Sequence, residues 1–256
     1  MRLITLGTGG YFPNPKRGGP AAAVLAGGEQ FFVDAGENVA RAAIAAGLAL
    51  EKTSAIFFTH YHGDHISGLA HLLFHFYVEG TRNRPVPASL RIVGPPGLDN
   101  LRRGLLTAYG DWLLEPGFDL VWDEVEPPGS VAPASGVEVA FRRVEHASSL
   151  VCMGYRFTEG DRVLAVSGDS TLCEELLELS RDADVLLSES GCLPASEGAN
   201  HINTKELGEL ATEARVKTLI LTHFMDGELV EALTDDVAST FDGTLIAAND
   251  GDDFMI

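Results

Sequence analysis

The 256 residues are 45% hydrophobic and 21% charged, the composition of a soluble globular protein with a substantial core and not of a disordered or fibrous chain. Lys and Arg number 18 against 37 Asp and Glu, and the formal net charge of −19 disfavours long polyanions as partners unless the basic residues cluster. No apolar run approaches the roughly 18 residues of a transmembrane helix, and no linker-like or charge-rich segment divides the chain, so one domain over residues 1–256 is expected.

In chain order, Leu3 to Leu6 reads as a short strand running into Gly7-Thr8-Gly9-Gly10. This opening lacks a charged segment, apolar core and cleavage site, and a cytoplasmic location is expected. The glycine loop lacks the Lys-Ser/Thr ending of a phosphate loop and the dinucleotide spacing, which leaves a tight turn close to a site. Strands follow at Ala22 to Leu25 and Phe31 to Asp34. Asp34, at a strand end, is placed either to accept the ring proton of a metal-bound histidine or to cap a turn. A helix is expected from Asn38 to Ala46 and a buried strand from Ala55 to Phe58.

Directly after that strand, six residues carry three imidazoles and a carboxylate: His60, His62, Asp64 and His65. A strand ending in alternating residues sends His60 and His62 to one side, and Gly63 lets the chain turn so that Asp64 and His65 return over the same volume. Ligands of borderline to hard character gathered so closely point to a metal site. The helix expected from Ile66 to Val78 carries His71 and His75 on one face, but without the intervening Glu of a metalloprotease they read as surface or cleft-wall residues. Leu90 to Val93 reads as a strand and Gly97 to Tyr109 as a helix. Solvated surface is the default reading of the pairs Arg102-Arg103 and Arg142-Arg143. The stretch from Val78 to Val137 holds Tyr109, Trp112, Phe118 and Trp122 and is long enough for a lid over a cleft, although such aromatics more commonly pack into a core.

Later strand ends supply single further candidates. His146 follows Val137 to Val144, Asp169 follows Val151 to Phe157 and Val163 to Val166, and His223 follows Thr218 to Leu221. Each alone is compatible with a hydrogen-bonded loop residue; beside the first cluster they bring enough donors for two ions. A strand is expected at Val185 to Ser188, and helices at Thr171 to Ser180, Thr204 to Ala214 and Asp226 to Ala232. Cys152, Cys173 and Cys192 show no metal spacing and read as reduced, packed thiols. Mixed strands and helices indicate a layered α/β arrangement whose strand order the pattern cannot supply.

The pattern His-x-His-x-Asp-His followed by a single His, Asp and His resembles the metallo-β-lactamase superfamily of dinuclear metal hydrolases, over nearly the whole chain from Gly7 to Gly251. The resemblance implies an α/β fold, the αββα sandwich, with a dinuclear metal cleft at one edge of the sheets. It implies one divalent ion on His60, His62 and His146, a second on Asp64, His65 and His223, and Asp169 as the bridge. Zinc is the expected metal, with manganese or iron as alternatives.

Within that superfamily, the strings Gly7-Thr-Gly-Gly-Tyr-Phe-Pro-Asn-Pro-Lys-Arg, Met153-Gly-Tyr-Arg-Phe, Val166-Ser-Gly-Asp-Ser and Asn200-His-Ile-Asn-Thr resemble the ribonuclease Z branch. That implies His201 acting beside the metals, stabilising developing charge or protonating the leaving oxygen. Asp64 would take the proton of an activated water and Glu189 would orient His201. A surface residue at a helix N-terminus is the rival reading of His201, and Glu189 stands in Ser-Glu-Ser-Gly where the branch usually has His-Glu-Ala-Thr. Members that process transfer RNA commonly carry a protruding arm between the third metal block and the bridging Asp; here 169 − 146 leaves 23 positions, too few for it. The expected function is a dinuclear zinc hydrolase, a ribonuclease Z-like phosphodiesterase acting on a small ester or phosphodiester rather than transfer RNA. Arylsulfatase or lactonase activity is the alternative on the same site, and a non-hydrolytic di-iron redox or metal-binding protein the alternative of another class. No membrane partner is expected, and a homodimer only by family analogy.

Overall fold

In the computed structural model, residues 1–114, 117–193, 200–225 and 230–256 are described. Their strands are β1 (Arg2–Gly7), β2 (Ala21–Ala26), β3 (Glu29–Val33), β4 (Thr53–Phe57), β5 (Ser89–Gly94), β6 (Asp119–Glu124), β7 (Gly129–Ala134), β8 (Val137–Val144), β9 (Cys152–Glu159), β10 (Arg162–Val166), β11 (Val185–Glu189), β12 (Thr218–Thr222), β13 (Thr244–Ala247) and β14 (Asp253–Met255). The helices are α1 (Val39–Ala45), α2 (Gly63–Ile66), α3 (Leu69–Thr81), α4 (Leu98–Tyr109), α5 (Glu174–Ser180), α6 (Thr204–Glu213) and α7 (Val230–Ala238).

Two seven-stranded sheets result, in the orders β14-β1-β2-β3-β4-β5-β6 and β13-β12-β11-β10-β9-β8-β7. Each sheet is antiparallel through its first part and parallel from β3 to β6 and from β10 to β13. Side-chain alternation divides the apolar residues between layers. Phe31, Phe57, Phe157, Leu187 and Ile220 fill the space between the sheets. Their sequence neighbours Phe32, Ile56 and Phe58 face α1, α3 and α4 outside the first sheet, while Leu186, Leu219 and Leu221 face α5, α6 and α7 outside the second. The outcome is the expected αββα sandwich, a metallo-β-lactamase fold. No helix among the described residues is long and apolar enough to cross a membrane.

Several element boundaries depart from the pattern reading. The helix expected from Ile66 to Val78 is split into α2 and α3, because the backbone at Gly68 crosses the Asp34–Gly36 segment and donates its N–H to Ala35 O at 2.8 Å. The helix expected from Thr171 begins at Glu174, since Thr171 donates its N–H to Glu145 O at 2.6 Å and is held in the loop. Of the helix expected from Asp226 to Ala232, residues 226–229 lie outside the described residues, and α7 begins at Val230. Of the two readings of the aromatics in Val78 to Val137, lid or core, packing holds for Phe118 and Trp122, while Tyr109 and Trp112 stay exposed. The stretch builds β5, α4, β6 and β7, and Phe118 and Trp122 pack into the layer outside the first sheet, where Phe118 meets Phe76 at 5.7 Å. Trp112 lies on α3, 5.6 Å from Phe74 and 4.9 Å from Tyr77.

Candidate metal centre

Most sequence-predicted site residues come from the C-terminal end of a strand or the loop just after it, while Asp64 and His65 lie on α2 and His201 in the loop before α6. Asp34 follows β3, His60 follows β4, His146 follows β8, Asp169 follows β10, Glu189 ends β11 and His223 follows β12. The parallel strands and β8 all point the same way, so their ends open at one edge of the sandwich, where α/β sheets ordinarily hold ligands. Two cross-sheet hydrogen bonds fix that edge: Met153 N donates to Thr59 O at 2.9 Å and Tyr155 OH to Phe58 O at 2.6 Å.

In the first ligand set, the outer ring nitrogens of His60 and His146 are engaged and their inner ones converge on His62. The Thr59 hydroxyl donates to Asp34 Oδ2 at 2.9 Å and lies 3.0 Å from His60 Nδ1, so that nitrogen carries the proton and Nε2 presents a lone pair inward. His146 Nδ1 donates to Asn200 O at 2.6 Å, again leaving Nε2 inward. Those two nitrogens lie 2.9 and 3.2 Å from His62 Nδ1. A proton on His62 Nδ1 can serve these acceptors as a hydrogen bond, and once it is lost all three nitrogens can turn lone pairs toward a cation.

The second set is built on Asp34. This residue takes a left-handed backbone (φ 58°), which turns its carboxylate back to accept from Thr59 N at 2.8 Å and from His65 Nδ1 at 2.8 Å. Of its two sequence readings, the geometry is that of a carboxylate orienting a histidine. His65 Nε2 is buried without a hydrogen-bond donor or acceptor of its own, 3.4 Å from Asp169 Oδ1 and 3.6 Å from Asp64 Oδ2. His223, also left-handed at φ 59°, brings Nε2 to 3.4 Å from both Asp64 Oδ2 and Asp169 Oδ2. The Asp169 carboxylate stands between the sets, 3.9 and 3.8 Å from His60 Nε2 and His146 Nε2. Gly168, at φ 62° and packed against Thr59, is the turn that lets Asp169 reach this position.

Electrostatics sort the imidazoles. Burial, and for His60 the nearby His65, hold His60, His62 and His146 below the ordinary histidine pKa, so they are neutral and ligand-ready. Burial also opposes a charge on His65 and His223, but Asp169, together with Asp34 at His65 and with Asp64 at His223, outweighs it and raises both. Burial works against ionised Asp169 too, yet His223 and His65 keep it well below the usual carboxylate range. A carboxylate that draws protons onto two buried histidines would draw a cation there equally well. The buried His65 Nε2, the converging ring nitrogens and this acid-rich centre therefore fit divalent ions, and the donors separate into His60, His62, His146 and Asp169 on one side and Asp64, His65 and His223 on the other.

His201 enters from the loop before α6 and shares the floor of the site, with its ring 4.9 Å from that of His146 and 5.8 Å from that of His223. Its Nδ1 donates to Glu189 Oε2 at 2.6 Å, and the other Glu189 oxygen accepts from Ser170 N at 2.6 Å. Burial disfavours the imidazolium, but the hydrogen bond and charge of Glu189 outweigh it and raise His201 to about 9. Burial pushes the Glu189 carboxyl up, with His201 pulling against it. Asp169, His201 and His223 also form a third converging group, which the sequence reading did not contain. Thr59 and the Asn200 carbonyl were likewise missed; their only signal was adjacency to His60 and His201.

The beta-lactamase superfamily domain matches residues 29–224. Ribonuclease Z of Mycobacterium bovis (strain BCG / Pasteur 1173P2) is 29% identical over 246 residues, 88% of this chain and 86% of the relative. Ribonuclease Z of Mycobacterium sp. (strain KMS) is 32% identical over 88% of this chain and 84% of its own. Two solved structures share the fold: the metallo-beta-lactamase fold protein YhfI from Bacillus subtilis, with TM-score 0.83, 24% identity and 99% of each chain covered, and human tRNase Z, short form, with TM-score 0.80, 24% identity, 100% of this chain and 99% of the other.

Proposed function

We propose that this chain, which belongs to the beta-lactamase superfamily, is a metal-dependent phosphodiesterase of the ribonuclease Z type that acts on small phosphodiesters. The observation that carries the reading is the pairing of two converging ligand sets with a buried Glu189–His201 dyad at their edge. His60, His62 and His146 would hold one divalent ion, Asp64, His65 and His223 the other, and Asp169 both, with zinc favoured by the imidazole-rich donors. Two such ions, when bound, supply Lewis acidity toward a phosphoryl oxygen and acidify a water. Asp64 reaches the same space with one oxygen and accepts a proton there. His201, charged at neutral pH through Glu189, delivers a proton to the departing oxygen. Asp34 and Thr59 keep His65 and His60 in the tautomers that aim their free nitrogens inward. The ribonuclease Z relatives, which align over most of the chain, support this choice of reaction.

The test is hydrolysis of bis(p-nitrophenyl) phosphate by zinc-loaded protein, with bound metal measured by elemental analysis. Chelation is expected to abolish turnover and zinc to restore it. His62→Ala and Asp169→Ala should lose metal and activity together, whereas His201→Ala should keep its metal and lose kcat by roughly 10²–10⁴-fold. Full activity in metal-free protein would overturn the reading.

A further inference from the structure

A groove of about 580 Å³ opens next to the ligand sets and is lined from both sheets, by Tyr61, Pro96, Gly97, Asn100 and Leu101 on one side and by Arg143 and the 148–151 loop on the other. It adjoins the site through the chain itself: Tyr61 stands between His60 and His62, and the loop begins two residues after His146. Tyr61 is fixed as a wall, because its hydroxyl donates to Pro95 O at 2.6 Å and its ring lies against Gly94 and Gly97. Ile66, Leu101, Leu150 and Val151 add apolar surface beside the Tyr61 ring, and Asn100, Ser148 and Ser149 add polar surface. Among the described residues that line the groove, one carries a formal charge. Along β8, Arg142 turns outward to Glu178 at 2.9 Å, so its neighbour Arg143 points the opposite way, toward the mouth between the sheets. Arg143 is exposed and has no ion-pair partner among the described residues, in a chain whose net charge is −19. Such a cation is not neutralised by its surroundings, and its planar fork suits a phosphate or a carboxylate.

We propose that this groove is the substrate-selecting subsite, which receives the second arm of a small phosphodiester: a flat apolar body against Tyr61 and Leu101 that ends in an anionic group held by Arg143. The assignment rests on the phosphodiesterase reading for the bond cleaved, but not for the binding itself. It refines the surface reading of the Arg142-Arg143 pair, since only one of the two is tied to the outer face.

Two measurements on the zinc-loaded protein test it. The first compares kcat/KM for two p-nitrophenyl phosphodiesters that differ only by a terminal phosphate on the second arm, in wild type, Arg143→Gln and Arg143→Lys. The preference for the phosphate-bearing ester is expected to fall about tenfold in Arg143→Gln, mainly through KM, and to be partly kept in Arg143→Lys. The second is calorimetric titration with adenosine 5′-monophosphate, whose affinity should fall in Arg143→Gln. Hydrolysis with the same preference in all three proteins overturns the subsite and leaves the phosphodiesterase reading standing. Cleavage of neither ester, with Arg143-dependent binding of the nucleotide, overturns the phosphodiesterase reading and leaves the subsite. Nucleotide binding that is equal in wild type and Arg143→Gln counts against the subsite whatever the hydrolysis shows.

Discussion

Asp34 holds more of the site together than any single ligand does. One carboxylate accepts from Thr59 N, the Thr59 hydroxyl and His65 Nδ1, so it sets the position of His65 directly and that of His60 through Thr59. Asp34→Ala would leave those buried donors without an acceptor, at about 1–3 kcal/mol each in an unrelaxed site. The expected result is a ten- to hundredfold loss of metal affinity, measured by competition with a chelator; unchanged affinity would show that the backbone alone positions both histidines. At this scale the sequence was informative where chemistry is local. Six residues carried the first cluster, and His146, Asp169 and His223 were legible as polar groups closing apolar runs. Asp34 remained divided between two roles because its decisive feature, a left-handed backbone folded back onto Thr59, is a product of tertiary contact. Arg143 was silent for a similar reason: a paired and an unpaired arginine look alike until Glu178 is placed beside one of them.

Among the elements, the short helix carrying Asp64 and His65 is positioned by backbone packing with almost no side chains between. A Cβ on Gly36 would lie 2.4 Å from Gly19 C and 2.7 Å from Asp64 O, and one on Gly68 would lie 2.2 Å from Gly36 O. Ala35 N donates to His65 O at 2.8 Å across the same contact. Gly36→Ala must therefore push the ligand-bearing turn away from β3, and we expect a loss of about 1–3 kcal/mol in denaturant unfolding together with weaker metal binding. Gly104→Ala is the control. It sits in α4 with nothing within 4 Å of an added Cβ, and should be neutral or gain up to about 1 kcal/mol. Equal effects of the two substitutions would sink the packing argument. Most strands and helices were readable from their apolar periodicity, because a buried strand or a one-sided helix writes its environment into its sequence. The missed strands β6, β7, β13 and β14 lie at sheet edges, and β6 runs Asp-Leu-Val-Trp-Asp-Glu with its side chains half-buried or exposed. With a neighbour on one side only, β6 and β14 tolerate charges that erase the pattern, whereas β7 is interrupted by Gly129 and Pro133 and β13 has only four residues.

The whole molecule joins two halves of similar design, each an antiparallel ladder passing into a parallel one, with the site at the seam where their strand ends meet. Strand order was not legible, since periodicity records which face is buried and not which strand lies alongside. What the assembled molecule does settle is the span between the third and fourth ligand-bearing loops. From His146 to Asp169 the chain is fully used by a loop and the β9–β10 hairpin, turning at Gly160, and no arm projects from it. An RNA held by its backbone would have to displace counterions along many phosphates, which gives catalytic efficiency a steep inverse dependence on salt. A surface with a net charge of −19 is poorly made for that, whereas a small ester needs only the cleft and the adjoining groove. Zinc-loaded protein is therefore expected to hydrolyse a chromogenic phosphodiester with a kcat/KM that changes little between 50 and 200 mM salt (a range over which about six phosphate contacts would cost ~10³-fold) and to leave an unprocessed transfer RNA uncut under the same conditions. Cleavage of that RNA at its 3′ trailer would mean that the groove edge, or a partner surface, supplies the grip that the missing arm does not.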